Sequence, residues 1–296
     1  MKNSFSGYHP VVQLMYFLSV MLFTMLVMHP AVIGISFIAS ACYALYLGRR
    51  KQLKVMLCFV LPMALLIALL NPLFNHAGIT ILSYFPDGNP LTLESLIFGL
   101  VSGAMFSTVL LWCICLQHNM SSDRVIYLFG RLTPKLGLLL SMILRFIPKL
   151  TAQFRRIRIS RHCMGCDLDQ GNILIRTKNA VSMISSLLQW ILENSVDTAD
   201  SLKSRGYGLP HRTSCSVFHF CRRDAALLTF ILLSGSALLA AGVSRSLEYY
   251  YFPAFYTTDN GSLQYITYSV FLLLCFMPLI LDRREDRKWN VLRSKL

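Results

Sequence analysis

The sequence predicts an all-α integral membrane protein of about six transmembrane helices, with a cytoplasmic or interfacial region of coupling helices between the fourth and fifth spans. Two observations predict it. The 296 residues are 55% hydrophobic and 14% charged, with mean hydropathy +0.54, whereas a soluble domain carries about 25% charged residues. Apolar surface in that excess belongs against lipid. The apolar residues are also segmented into six runs, at 11–28, 31–48, 55–74, 93–116, 225–242 and 265–281. These runs hold no Lys or Arg and, apart from Glu94, no acid.

Each run is long enough, the shorter ones only just, to cross the hydrocarbon as a helix. The first has only Lys2 before it, and the "MHPAV" that follows is no small-residue cleavage site, so it is expected to be retained. His29-Pro30 allows a tight external turn or a kink in one long buried hairpin, and Pro30, which disfavours helix at His29, favours the turn. Orientation follows from Lys and Arg, which resist translocation. With the N-terminus inside, Lys2, the 49–54 cluster, the basic residues of 117–223 and those after Leu281 all face the cytoplasm. That places 27 of the 28 inside and leaves Arg245 outside. The net charge of +14 is therefore a topology signal, with no need of nucleic acid. Nine cysteines, an odd count with several inside apolar runs, read as reduced thiols.

The chain divides into four spans over 1–119, coupling helices over 120–223, and two spans with a basic tail over 224–296. The loops assigned outside are poor in charge, and Tyr249, Tyr250, Tyr251 and Tyr256 suit a membrane–water boundary. Inside, Ser122 or Asp123 can cap a first amphipathic helix, and Thr133-Pro134 opens a second. "LGLLLSMIL" is apolar nearly all round but only half a span long before Arg145, which favours the interface or partner helices. A further helix is expected from about Ala180 to Arg205, with Ile184, Leu187, Leu188, Ile191, Ala199 and Leu202 at helical spacing, after a polar loop holding Gly171. The two long helices end alike, at Cys163-Met164-Gly165 and Ser204-Arg205-Gly206. Gly stops a helix because it adopts the left-handed conformation cheaply, and a cation beside it suits the helix dipole.

Four motifs, "HPVVQL", "NPLFNHAG", "LRFIPKLTAQFRRIR" and "ADSLKSRGYG", occur in an order and spacing that resembles the transmembrane T component of energy-coupling factor (ECF) transporters, the EcfT/CbiQ-like family. The resemblance implies a non-catalytic subunit in a prokaryotic plasma membrane, without a cofactor, that serves uptake of a vitamin or metal-ion micronutrient. In that family two coupling helices end in Ala-Arg-Gly-like triplets seated in grooves on two ABC-type ATPase subunits. The rest of the coupling region holds a small membrane S component that binds substrate. Here Ser204, Arg205 and Gly206 match the second triplet. The first departs from the pattern: Cys163, Met164 and Gly165, with Met164 where arginine is expected. Either Arg161 supplies the charge or Met164 enters an apolar groove. The faces expected to carry motion to the S component are Leu138, Met142 and Ile147, with Ile184, Leu187, Leu188 and Ile191.

Rival constellations are weaker. Cys163 and Cys166 beside His162, with Cys215, His219 and Cys221, offer zinc-ligand chemistry, but the second half lacks paired spacing. No phosphate-binding Gly-rich loop, GxSxG or HExxH occurs, so neither ATP binding nor a familiar membrane enzyme is indicated. A stand-alone channel or secondary transporter would place ionisable groups within its spans, and these spans are almost free of them.

Overall fold

The computed structural model describes residues 5–84, 89–165, 172–207, 218–244, 247, 249–253, 255–257 and 261–293. Lys2, Gly171 and Arg245 lie outside the described residues. Contacts group the chain into two units, one of residues 1–125 with 218–296 and one of residues 126–217.

The first unit holds the helices α1 (Pro10–Leu26), α2 (Pro30–Val55), α3 (Leu61–Phe74), α4 (Leu93–Asn119), α8 (Arg222–Val243) and α9 (Gly261–Arg293). Their starts are written locally. Pro10 sits at the first helical position of α1, and Val11 N donates to His9 Nδ1 at 3.3 Å. Thr92 caps α4 by accepting from Ser95 N at 3.4 Å. Asp224 closes a capping box on α8, accepting from Cys221 N at 2.9 Å. Hydroxyls inside the helices donate back to backbone carbonyls, as Thr24 does to Val20 (2.6 Å) and Thr108 to Ala104 (2.7 Å), which satisfies those donors without water.

Pairings fix the helix directions. Trp112 Nε1 donates to Ser36 Oγ at 3.0 Å and Asn119 Nδ2 to Tyr43 OH at 3.1 Å, so α2 and α4 run parallel. Gly103 faces Ala64 and Gly99 faces Ala68, so α3 runs against α4. A Cβ at Gly99 or Gly103 would lie 2.7 Å or 2.5 Å from the Ala68 or Ala64 carbonyl oxygen. This small-xxx-small pair therefore lets the two backbones touch. The chain reverses between α2 and α3, yet Arg49–Lys54 forms no loop. Helical bonding continues to Val55 and through the π turn Met56–Val60. Tyr16 OH donates to the Cys275 carbonyl (3.2 Å) and Phe23 packs on Phe271 (4.8 Å), so α9 runs against α1.

The core is aromatic: Phe5, Tyr16, Phe17, Tyr43, Trp112 and Phe271 are fully buried, with Phe17 and Tyr16 edge-on to Trp112. Around the N-terminal turn Phe5–Gly7 the core becomes polar. Phe5 N donates to Asp282 Oδ1 (2.7 Å), whose Oδ2 accepts from Tyr43 OH (3.4 Å). Gln13 Nε2 donates to the carbonyls of Phe5 (2.8 Å) and Tyr8 (2.9 Å), while His9 N donates to Asp224 Oδ1 (3.1 Å). Arg124 donates to Gln13 Oε1 (2.9 Å) and to the carbonyls of Asn119 and Ser6. Asp282, Asp224, Gln13 and Asn119 are all buried.

Two antiparallel pairs interrupt the helices: β1 (Ile81–Tyr84) with β2 (Pro90–Thr92), and β3 (Tyr249–Tyr250) with β4 (Tyr256–Thr257). Gly78 turns into the first at φ 146°, where a Cβ would fall 2.6 Å from Glu94 Oε2. Thr80 N donates to that carboxylate at 3.2 Å, and Thr92 Oγ1 to the Ala77 carbonyl at 2.8 Å. Of the tyrosines expected at the membrane boundary, Tyr250 and Tyr256 are exposed. Tyr251 is buried, donating to the Met28 carbonyl at 2.8 Å, because the α1–α2 turn needs a donor for that oxygen.

The second unit contains most of α5 (Ser122–Leu132), with α6 (Pro134–Cys163) and α7 (Ile173–Ser204). Ser121, not Ser122 or Asp123, occupies the α5 cap position, its carbonyl accepting from Arg124 N and Val125 N. Thr133 and Pro134 stand at the expected cap and first position of α6. The segment 173–179, expected as loop, is the first two turns of α7, because the Asn172 side chain accepts from Ile173 N at 2.8 Å. Among the described residues, α2, α4, α6, α8 and α9 are long and apolar enough to span a membrane, while 10–26 and 58–74 are shorter apolar helices. All-α membrane architecture is thus observed, with α6 meeting the length and composition of a span in a segment expected at the interface.

Replacing Asp282 with Ala leaves Phe5 N and Tyr43 OH without their acceptor, a loss of about 1–3 kcal/mol. The expected outcome is a lower melting temperature in detergent and faster protease cleavage near the N-terminus, with Asp282→Asn milder.

Candidate functional site

The site expected from the sequence lies in the second unit, at the C-terminal ends of α6 and α7. Both ends are built the same way. On α7, Arg205 is the cap residue and Gly206 takes φ 78°. Gly206 N donates to the Lys203 carbonyl and Tyr207 N to the Leu202 carbonyl, each at 3.0 Å. This is a Schellman closure, which needs a left-handed residue after the cap. On α6, Met164 is the cap residue and Gly165 takes φ 74°, with Gly165 N donating to the His162 carbonyl at 3.1 Å. The triplets Cys163–Gly165 and Ser204–Gly206 therefore occupy equivalent positions on two helix tips.

The side chains presented differ. Among the described residues the exposed Arg205 guanidinium has no hydrogen-bond or ion-pair partner, and Met164 is 68% exposed. Lys203 and Asp200, a turn back, form a solvent-exposed pair at 3.9 Å that contributes little. Arg161, the alternative source of charge on α6, is turned onto α7. Its Nη2 donates to Ser182 Oγ (2.6 Å) and Ser186 Oγ (3.3 Å), and its Nη1 to the Asn179 carbonyl (3.4 Å). Of the zinc-type constellation, Cys163 and Cys221 are exposed, and Cys166 and Cys215 lie outside the described residues.

Behind the tips, the helices pack through Phe146 and Trp190, stacked with ring centroids 5.9 Å apart. Ile147, Ile184 and Leu188 are each about half exposed, at 52%, 52% and 53%, while Leu138, Met142, Leu187 and Ile191 are partly buried. Much of the apolar surface is carried by residues the sequence reading did not single out. Leu136, Leu139 and Ile143 join Ile147 in one exposed stripe on α6, and Val181, Leu192 and Val196 join Ile184 and Leu188 in one on α7. Their spacing of three and four was visible. On helices apolar nearly all round, however, only burial distinguishes an open face from a packed one.

Helices with apolar stretches this long define a helical integral membrane protein. A family model described as CbiQ, cobalt transport protein, matches residues 1–215, and the chain belongs to that family. Among its relatives, the energy-coupling factor transporter transmembrane protein EcfT of Lactobacillus helveticus is 31% identical over 107 residues, 36% of this chain and 39% of that one. EcfT of Lactococcus lactis subsp. cremoris is 32% identical over 100 residues, 33% and 38% of the two chains. EcfT 1 of Listeria monocytogenes is 27% identical over 208 residues, 64% and 76% of the two chains. The matched stretch thus spans less than half of the first two relatives and about three quarters of the third.

Gly165 and Gly206 hold conformations that a β-branched side chain resists. Gly206→Val is expected to unwind the last turn of α7, at a cost on the order of 1–2 kcal/mol. Loss of helicity confined to that end, seen as faster hydrogen exchange of Lys203 to Tyr207 alone, is the measurable outcome.

Proposed function

We propose that the chain is the transmembrane coupling component of an ATP-driven energy-coupling factor importer. Its tips at Cys163–Gly165 and Ser204–Gly206 dock on two ABC-type ATPase subunits, which hydrolyse the ATP. The observation that carries the proposal is the pair of equivalent helix tips, one presenting an exposed Arg205 without a partner among the described residues and the other an exposed Met164. Guanidinium stays charged at working pH and grips a carboxylate with two parallel bonds, so an acidic groove suits Arg205. A flexible thioether suits an apolar one. Unequal tips fit two non-identical ATPase subunits or halves.

The apolar stripes of α6 and α7 supply the second surface, for a small membrane S component that selects a vitamin or metal-ion micronutrient. Contiguous exposed apolar surface of this kind is covered by lipid or by partner helices. Motion of the tips, transmitted along the helices, would tilt the S component and release its cargo inward. With the positive-inside rule, the tips, the N-terminus and the basic tail lie in the cytoplasm and the protein in a prokaryotic plasma membrane. The relatives, energy-coupling factor transporter transmembrane proteins, agree with this assignment.

Two variants test the two surfaces separately. Arg205→Glu is expected to reduce ATPase co-purifying from native membranes by roughly tenfold or more, while Arg176→Glu leaves it nearly unchanged. Full retention of ATPase by the Arg205 variant removes the docking assignment. Leu188→Asp is expected to lose the small membrane partner and keep the ATPases; loss of both together would instead mean that the helices had collapsed.

A further inference from the structure

Arg161 sits three residues before the α6 tip, in a stretch rich in arginine, yet its guanidinium does not point outward like a docking group. It reaches across to α7 and binds Ser182 Oγ at 2.6 Å, Ser186 Oγ at 3.3 Å and the Asn179 carbonyl at 3.4 Å. The acceptor is preset: Ser186 Oγ donates to the Ser182 carbonyl at 3.1 Å, which leaves its lone pairs for the guanidinium. Ser182 and Ser186 lie one turn apart on the same face of α7, so Nη2 alone reaches both while Nη1 takes the Asn179 carbonyl.

A further contact between the two helices is the Phe146–Trp190 stack, about 22 Å back along α6 and about 6–12 Å onward along α7. One contact between two rods is a pivot, about which they scissor freely. A second contact at a distance fixes the angle. From this geometry we infer that Arg161 is a positioning residue, a latch that sets the crossing angle of α6 and α7 and so the separation of their tips. Its acceptors are neutral hydroxyls and a carbonyl, partly exposed to water. Water can replace such partners, so the latch opens without leaving a stranded buried charge. The consequence for coupling rests on the function proposed above; the latch itself is a property of this chain alone.

The test uses the full chain purified with whatever ATPases accompany it, carrying genetically encoded spin labels at the exposed positions Ser160 and Ser201. In wild type the inter-label distance distribution is narrow. In Arg161→Ala, and equally in Ser182→Ala combined with Ser186→Ala, it is expected to widen by roughly twofold while the ATPases stay bound, and Arg161→Lys is expected to recover part of the narrowing. Unchanged distributions in both variants overturn the latch. Loss of ATPase from Arg161→Ala with an unchanged distribution, and none from the serine pair, overturns it in favour of a docking role. If wild type itself brings no ATPase, the coupling function fails, and the distance measurement still decides the latch on the protein alone.

Discussion

The first unit depends on how it satisfies the chain entering its first helix. Backbone amides before a helix have no partners of their own, and in a hydrocarbon setting water cannot supply them. Here two buried carboxylates do so: Asp282, near the basic end of α9, takes Phe5 N, and Asp224, at the start of α8, takes His9 N. Gln13 ties down the intervening carbonyls, and Arg124 completes the arrangement from the start of α5. Burial pulls the Arg124 pKa downward, yet guanidinium remains charged at working pH. The entry to α1 is thereby linked to three helices distant in sequence, α5, α8 and α9.

That arrangement separates what could be read in the sequence from what could not. Periodicity and length revealed the apolar helices, and Pro134, Gly165 and Gly206 marked ends whose physics is local. Gly99 and Gly103 were equally legible as a small-xxx-small pair, but a lone pair of glycines in an apolar run does not name its partner, and only the fold supplies α3. Asp224, Asp282 and Arg124 flank the spans and read as ordinary boundary charges. Their role arises from residues up to 277 positions away, which no local pattern encodes. The start of α7 was missed for a similar reason: Ile173–Asn179 reads as polar loop until the Asn172 cap is seen to begin a helix there.

The candidate site divides along the same line. The tips were legible because a stop signal and a charge adjoin in sequence, as at Arg205-Gly206. The direction of the Arg161 side chain was not, because it depends on two serines on the next helix. Chemistry follows from that difference. Two arginines of identical type, both near helix ends, are distinguished only by what lies within reach: one finds hydroxyls, the other finds no partner among the described residues. The free one is suited to bind another molecule, and the engaged one shapes its own.

The meeting of Gly130 and Gly137 carries one more consequence. A Cβ added to either would lie against the other's backbone, so α5 and α6 touch without intervening side chains, leaving an elbow with little slack. From that elbow α6 runs to Met164, a reach of about 40 Å at helical rise. Over such an arm a rotation of about 5° at the elbow displaces the tip by about 3–4 Å, the size of a single side-chain contact. The geometry is that of a long pointer on a stiff bearing: small angles at the base become whole contacts made or broken at the end.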